Sequence, residues 1–126
     1  MGKKTKANFT KLELQIMQVV WKVGASTVSA VQDGLDQERA YTTVQTMLNI
    51  LERKGKLKRK LRGRAYLYSA TMSEAKASSH AVRDLVDRMF GGSSEELVMS
   101  LIKSRQIDAR KIAELSMRLE EEGGGE

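Results

Sequence analysis

The fold is decided by residues 41–68, which read YTTVQTMLNILERKGKLKRKLRGRAYLY. The first part predicts a helix over 42–54, because apolar residues recur at i, i+3, i+4 and i+7 and form one face. Gly55 is expected to end this helix in the left-handed conformation. After it, the period of the sequence changes from helical to alternating. The apolar face consists of Val44, Met47, Leu48 and Leu51.

The alternating part predicts a β-hairpin. Residues 57–61 alternate apolar and basic side chains, Arg62-Gly63-Arg64 turns the chain, and residues 65–68 alternate again. Tyr66 and Tyr68 fall on one face of the second strand, where we expect core packing. Upstream, Thr10 and Glu13 have the spacing of a capping box, which predicts a first helix that ends at Gly24.

A second, shorter helix is expected over 28–35, followed by a turn at Gly34, Asp36 and Gln37. Three helices followed by a hairpin predict a winged helix-turn-helix. Helical patterns then continue over 73–90, from Ser94 and from Asp108. The predicted fold class is therefore mainly α with a small β-hairpin wing, a winged helix-turn-helix domain followed by a C-terminal helical dimerisation region.

The expected domains are a DNA-binding domain over 9–71 and a dimerisation region over 72–120. The tails 1–8 and 121–126 are predicted to be disordered. Charge follows this division: residues 1–71 hold 14 Lys and Arg against 5 Asp and Glu, a net charge of +9, whereas residues 72–126 hold 8 against 11, a net charge of −3. A basic module attached to an acidic one indicates binding of a polyanion by the first.

Composition excludes several classes of function. The chain has no cysteine, so disulfides, thiolate metal sites and cysteine nucleophiles are absent. His80 is the single histidine, and the sequence has no Gly-rich phosphate loop near its aspartates and glutamates. We therefore expect no catalytic residue, no metal, no cofactor and no enzymatic activity. Apolar runs are too short to insert into a membrane, and the N-terminus lacks the apolar core of a signal peptide, which favours a cytoplasmic location.

The outer face of the helix over 42–54 suits the reading of base pairs. A helix in the major groove needs short polar side chains near its N-terminus, and a Gln pairs with adenine while a Thr methyl packs on a thymine methyl. Solvated helix positions are the plain alternative, with Thr42 acting only as an N-cap. The predicted base-reading residues are Thr42, Thr43, Gln45 and Thr46.

Eight cations lie between Arg53 and Arg64, and no acidic residue interrupts them. Such a concentration of like charge is costly unless a polyanion offsets it, and DNA phosphates are the obvious partner. The alternative is a solvated edge strand that lysines protect from aggregation. The predicted phosphate-binding residues are Tyr41, Arg53, Lys58, Arg59, Lys60, Arg62 and Arg64.

The C-terminal helices carry many apolar residues but are too short for an independent core, so we expect them to pair with a second copy. The alternative is that they fold back over the same subunit. The predicted dimerisation residues are Val82, Leu85, Val86, Met89, Phe90, Leu97, Val98, Leu101, Ile102, Ile112, Leu115 and Leu119.

From the residues alone, three functions remain open. A homodimeric repressor on a palindromic operator is the preferred one. A non-specific architectural DNA-binding protein and a winged-helix module for protein contacts are the alternatives.

Several motifs, in order, resemble the penicillinase-repressor (BlaI/MecI) family of winged-helix transcriptional regulators. The resemblance covers residues 12–119. It rests on Leu12-Glu13 through Val19-Val20-Trp21, on Tyr41-Thr42-Thr43-Val44-Gln45-Thr46, on Lys54-Gly55, on Arg62-Gly63-Arg64-Ala65-Tyr66, and on Phe90-Gly91-Gly92-Ser93 with Leu97-Val98.

The resemblance implies a homodimeric repressor of palindromic operators, often before antibiotic-resistance or membrane-protease genes. It also implies a membrane sensor-protease as partner, whose signal leads to cleavage in the dimerisation region and release of the operator. The matching bond here is Ser100–Leu101, where studied members of the family have an Asn–Phe pair. A copper-responsive branch uses a cysteine-rich motif, which this chain lacks.

Overall fold

The computed structural model describes residues 9–123, in six helices and one two-stranded antiparallel sheet. The predicted fold class, mainly α with a hairpin, is confirmed. By internal contacts the chain divides into two compact units, Met1–Ala81 and Val82–Glu126, and the functional boundary expected at residue 72 stays a prediction. The elements are α1 (Lys11–Val23), α2 (Val28–Gly34), α3 (Tyr41–Arg53), β1 (Leu57–Arg62), β2 (Ala65–Ala70), α4 (Glu74–Met89), α5 (Ser94–Lys103) and α6 (Ala109–Gly123).

The first unit has a closed apolar core between α1, α2, α3 and the root of the hairpin. The predicted inner face of α3 is buried as expected, with only Met47 half-buried at its edge. Burial of each large aliphatic side chain stabilises the fold by about 1.5–3 kcal/mol. The buried members are Ile16, Met17, Val20, Val28, Val31, Val44, Leu48, Leu51, Leu57 and Tyr68.

Local signals fix the ends of the helices. Thr10 and Glu13 form the predicted capping box before α1, with each side chain accepting a hydrogen bond from the other residue's N–H. The third helix starts at Tyr41, one residue earlier than predicted, so Thr42 is not its N-cap. Gly55 ends it as predicted: its φ is +81°, and its N–H donates to the carbonyl of Glu52.

Gly34 is the last residue of α2, whereas the sequence placed it in the following turn. A Cβ on this residue would come within 2.8 Å of a methyl group of Val19 on α1. The absence of a side chain therefore lets α1 and α2 approach closely, which is a packing role that the turn prediction did not include.

The hairpin pairs Leu57 with Ala70 at its root and Arg62 with Ala65 at its tip. Gly63 and Arg64 form the two-residue connection, and Gly63 has a φ of +63°, as the first position of a type II′ turn requires. At the root, Ser26 and Tyr68 exchange two backbone hydrogen bonds of 2.8 and 3.0 Å. This bridge attaches the hairpin to the segment between α1 and α2.

In the second unit, Ser93 caps α5 and Asp108 caps α6 by accepting hydrogen bonds from backbone N–H groups. The predicted disorder from residue 121 is wrong for 121–123, because α6 continues to Gly123 and its glutamates are good helix formers. The remaining predicted tails, 1–8 and 124–126, lie outside the described residues. None of the helices in 9–123 is long and apolar enough to cross a membrane.

Candidate nucleic-acid interface

The four predicted base readers share the exposed side of α3. Residues of a helix follow each other at about 100°, so Thr42 and Thr46 lie opposite the buried face of α3, and Thr43 and Gln45 flank them. All four side chains are exposed. The structure therefore brings together a short-chained polar surface at the N-terminal half of one helix, which is the shape that entry into a major groove requires.

Two predicted phosphate contacts lie at the ends of the same helix. Tyr41 is its first residue rather than the residue before it, and 46% of the side chain is exposed. Arg53 lies in the last turn and is also exposed. Both residues therefore lie at the two ends of the polar surface of α3.

The hairpin separates its cations onto two faces. Because side chains alternate along a strand, Lys58, Lys60 and Arg62 share one face, and all three are exposed. None of them forms an ion pair within the described part of the chain. Arg64 lies in the exposed connection at the tip. The first face is a row of cations with no acidic neighbour along the strand.

Arg59 lies on the opposite face, where its guanidinium stacks 4.3 Å from the ring centroid of Tyr66. This ring is 40% exposed, so the expected core packing is wrong for Tyr66 and confirmed for Tyr68, which is 2% exposed. The two tyrosines differ because only the root of the hairpin packs on the core, whereas the tip projects beyond it. At such a partly exposed site, a cation–π contact contributes about 0.5–1 kcal/mol.

Two of the eight clustered cations serve the fold. Lys54 donates to Oε2 of Glu13 across 2.8 Å, and the Glu13 side chain is only 3% exposed. Burial alone would raise the pKa of Glu13, but hydrogen bonds from Lys54 and Thr10 outweigh it and lower the pKa from its usual value of 4.5. The ion pair joins the start of α1 to the end of α3. Lys56 lies 5.3 Å from the ring centroid of Phe9.

Sequence reasoning missed this ion pair and one further contact. The hydroxyl of Tyr68 donates to Oδ1 of Asn49 across 3.0 Å and so connects the hairpin to α3. Asn49 lies on the side of α3 away from the apolar stripe, yet it is half-buried. Neither contact has a local signal, because Glu13 and Lys54 are 41 positions apart and Asn49 and Tyr68 are 19 apart.

Within residues 9–123, no group of three or more His, Cys, Asp or Glu side chains is arranged to hold a metal ion. His80 is exposed on α4. On the same helix, Asp84 pairs with Arg88 at 3.3 Å, as a charge on a helix surface does.

A polar, exposed helix packed beside a cationic hairpin defines a winged helix-turn-helix DNA-binding transcriptional regulator. The model of the penicillinase repressor family matches residues 9–121 of the chain. The chain therefore belongs to the penicillinase repressor family, which consists of transcriptional repressors rather than enzymes.

Similar proteins agree with this assignment. A penicillinase repressor of Bacillus licheniformis is 28% identical over 86% of this chain and 87% of its own length. A penicillinase repressor of Staphylococcus aureus is 24% identical over 82% of this chain and 83% of its own length. Among solved structures, MepR, a transcription regulator of the Staphylococcus aureus multidrug efflux pump MepA, superposes with a TM-score of 0.51 and 16% identity. That match covers 98% of this chain and 84% of MepR, and it supports the fold alone.

Proposed function

We propose that the chain is a homodimeric repressor that occupies a palindromic operator, with α3 of each subunit in a major groove and the wing on the phosphates. The observation that carries the proposal is that two exposed surfaces belong to elements that pack on each other in one unit. The base-reading surface is the exposed side of α3, and the phosphate row is the unpaired cationic face of β1. Together they combine a means of reading sequence with a means of binding the backbone.

Base reading is assigned to the four polar residues of α3. Gln45 has an amide that pairs with adenine through a donor and an acceptor, and the methyl groups of the threonines pack on thymine. Short side chains at this position let the helix backbone come close to the base edges. The assigned residues are Thr42, Thr43, Gln45 and Thr46.

Phosphate binding is assigned to the wing and to the two ends of α3. Each neutralised phosphate releases condensed counterions, so affinity should fall steeply with salt, by about 10³-fold or more between about 50 and 200 mM for several contacts per subunit. A flat salt dependence would contradict this part of the proposal. The assigned residues are Tyr41, Arg53, Lys58, Arg59, Lys60, Arg62 and Arg64.

Dimerisation is assigned to the second unit because it lacks a core of its own. Among its described residues only Val86 is buried, whereas Met89 is 70% and Leu119 68% exposed. Apolar side chains at these levels of exposure are stabilised when a second copy covers them. Pairing also serves the operator, because one helix covers only half of a palindromic site.

Relief of repression is assigned to a signal that acts on the same unit, either cleavage near Ser100–Leu101 after activation of a membrane sensor-protease or another inducer. Both residues lie inside α5, and the carbonyl of Ser100 accepts hydrogen bonds from the N–H and the hydroxyl of Ser104. A protease that binds an extended chain must therefore open this helix first. Such a repressor acts in the cytoplasm.

The test is selection of duplexes from a random pool, followed by sequencing. The proposal expects an enriched inverted repeat whose halves lie about one helical turn, ~10 base pairs, apart. Gln45→Ala with Thr46→Ala should remove sequence discrimination, whereas Gln18→Ala, an exposed glutamine on α1, should leave it unchanged. Binding without a motif would indicate an architectural protein, and no binding at moderate salt would indicate a module for protein contacts.

A further inference from the structure

A hydrogen bond between two side chains connects the hairpin to α3. Tyr68 is buried, and its hydroxyl donates to Oδ1 of Asn49 across 3.0 Å. A phenol has a single proton, and in this bond the Tyr68 proton points to Oδ1 of Asn49.

This hydrogen bond fixes the polarity of the Asn49 amide. Its Oδ1 is turned toward the buried Tyr68 hydroxyl. Its Nδ2 has no hydrogen-bond partner among residues 9–123, and within that range no buried side-chain nitrogen or oxygen lacks a partner. The Nδ2 group is therefore open to solvent, where it offers two N–H donors and no acceptor.

The free donor lies next to the base-reading surface. Asn49 follows Gln45 by four residues and Thr46 by three, so the three side chains are neighbours on one side of the helix. A helix that brings Gln45 and Thr46 to base edges brings the half-buried Asn49 to the adjacent base pair.

We propose that Asn49 is a specificity-determining residue of the operator contact, and that Tyr68 positions its amide so that only the Nδ2 donor meets the bases. The inference rests on the operator binding proposed above. Guanine presents two acceptors in the major groove, and cytosine presents only a donor. The bidentate pair of asparagine with adenine needs Oδ1 as well, which is already engaged. At one position of each half-site, Asn49 should therefore favour guanine, which offers two acceptors, and disfavour cytosine, which offers none.

The experiment is selection and sequencing with the full chain and two variants of the reading residue. We expect the wild-type chain to favour guanine over cytosine about tenfold at one position of each half-site, in line with a partial direct contact. Asn49→Ala should abolish the preference at that position and leave the others. Asn49→Asp should shift the preference to cytosine, because a carboxylate accepts from the N4 amino group.

The positioning role is tested by Tyr68→Phe, which keeps the buried ring and removes the hydroxyl. The amide is then free to turn, so adenine should become acceptable beside guanine at the same position. Tyr66→Phe is the matched control, since it removes a hydroxyl from an exposed tyrosine of the same strand. Circular dichroism on each variant verifies folding. If Tyr68→Phe does not fold, the preference of the wild-type chain decides the polarity of the amide, because an outward Nδ2 favours guanine over cytosine and an outward Oδ1 would favour cytosine.

The outcomes separate this inference from the proposed function. A wild-type chain that enriches no motif overturns the proposed function, and the role of Asn49 with it. A motif that Asn49→Ala leaves unchanged overturns this inference alone. A motif that changes in Asn49→Ala but not in a folded Tyr68→Phe overturns the positioning by Tyr68.

Discussion

The two units of the chain differ in how they hold their apolar residues. The first encloses ten buried side chains from three helices and the hairpin. The second buries only Val86 among its described residues and leaves seven large apolar side chains exposed: Val82, Leu85, Met89, Val98, Met99, Met117 and Leu119. The first unit is therefore stable through contacts within one chain, and the second has the composition of an interface. The difference teaches that the two units are stabilised in different ways, and it supports the proposal that recognition and assembly belong to separate parts of the molecule.

The largest effect is expected from a cavity in the first unit. Leu48 is a residue of α3 and is fully buried in the core of the first unit. Leu48→Ala should therefore lower the free energy of unfolding by about 2–5 kcal/mol. Denaturant unfolding at several protein concentrations measures it, and the loss should not depend on concentration. Leu119→Ala, at a residue 68% exposed, is the comparison in the second unit, where any loss should depend on protein concentration because a second copy is proposed to cover this residue. An equal loss in both variants would remove the contrast between the units.

A charge in the second unit should act on assembly instead of folding. Met89 is 70% exposed, and Met89→Glu places a carboxylate where a second copy is proposed to pack. We expect sedimentation to show monomers and operator affinity to fall about 10²-fold, because the two half-sites are then no longer held together. The unfolding of the first unit should stay unchanged. A variant that remains dimeric would place the interface elsewhere.

The ion pair between Glu13 and Lys54 should give the first unit a pH-dependent stability. The pKa of Glu13 is lowered in the folded chain, so its contribution is present above the usual value of 4.5 and is lost as pH falls through the folded pKa. Glu13→Gln should therefore cost about 1–3 kcal/mol near neutral pH and much less in acid. Unfolding curves across this range measure it. Glu38→Gln, at an exposed acid, should show no such trend.

The smallest expected effect comes from single cations of the wing. Lys60→Gln removes one proposed phosphate contact and should lower the slope of log affinity against log salt by about 1, with equal loss on operator and random duplexes. Titrations by fluorescence anisotropy over a range of salt measure the slope. Lys103→Gln, with the same change in charge on α5, is the control. Equal slopes for wild type and Lys60→Gln would exclude this residue from phosphate binding.

Pattern and local chemistry predicted most of the fold. The helical spacing of Val44, Leu48 and Leu51 predicted the inner face of α3, and Gly55 predicted the end of that helix. The turn at Gly63 gave the hairpin. These features depend on residues close in sequence, so a short window contains their cause. The candidate base readers could also be predicted from the sequence, because residues opposite the apolar stripe of a helix are expected to be exposed.

The remaining features were decided by contacts between distant residues. Sequence alone determined a winged-helix protein with a polar helix, a cationic hairpin and apolar C-terminal helices. Only the tertiary structure decided that Lys54 pairs with Glu13, that Tyr66 is exposed while Tyr68 is buried, and that the Tyr68 hydroxyl donates to Asn49. The physical reason is that hydrogen bonds and burial depend on which elements meet in space, and alternation along a strand gives the face of a side chain but not what covers it.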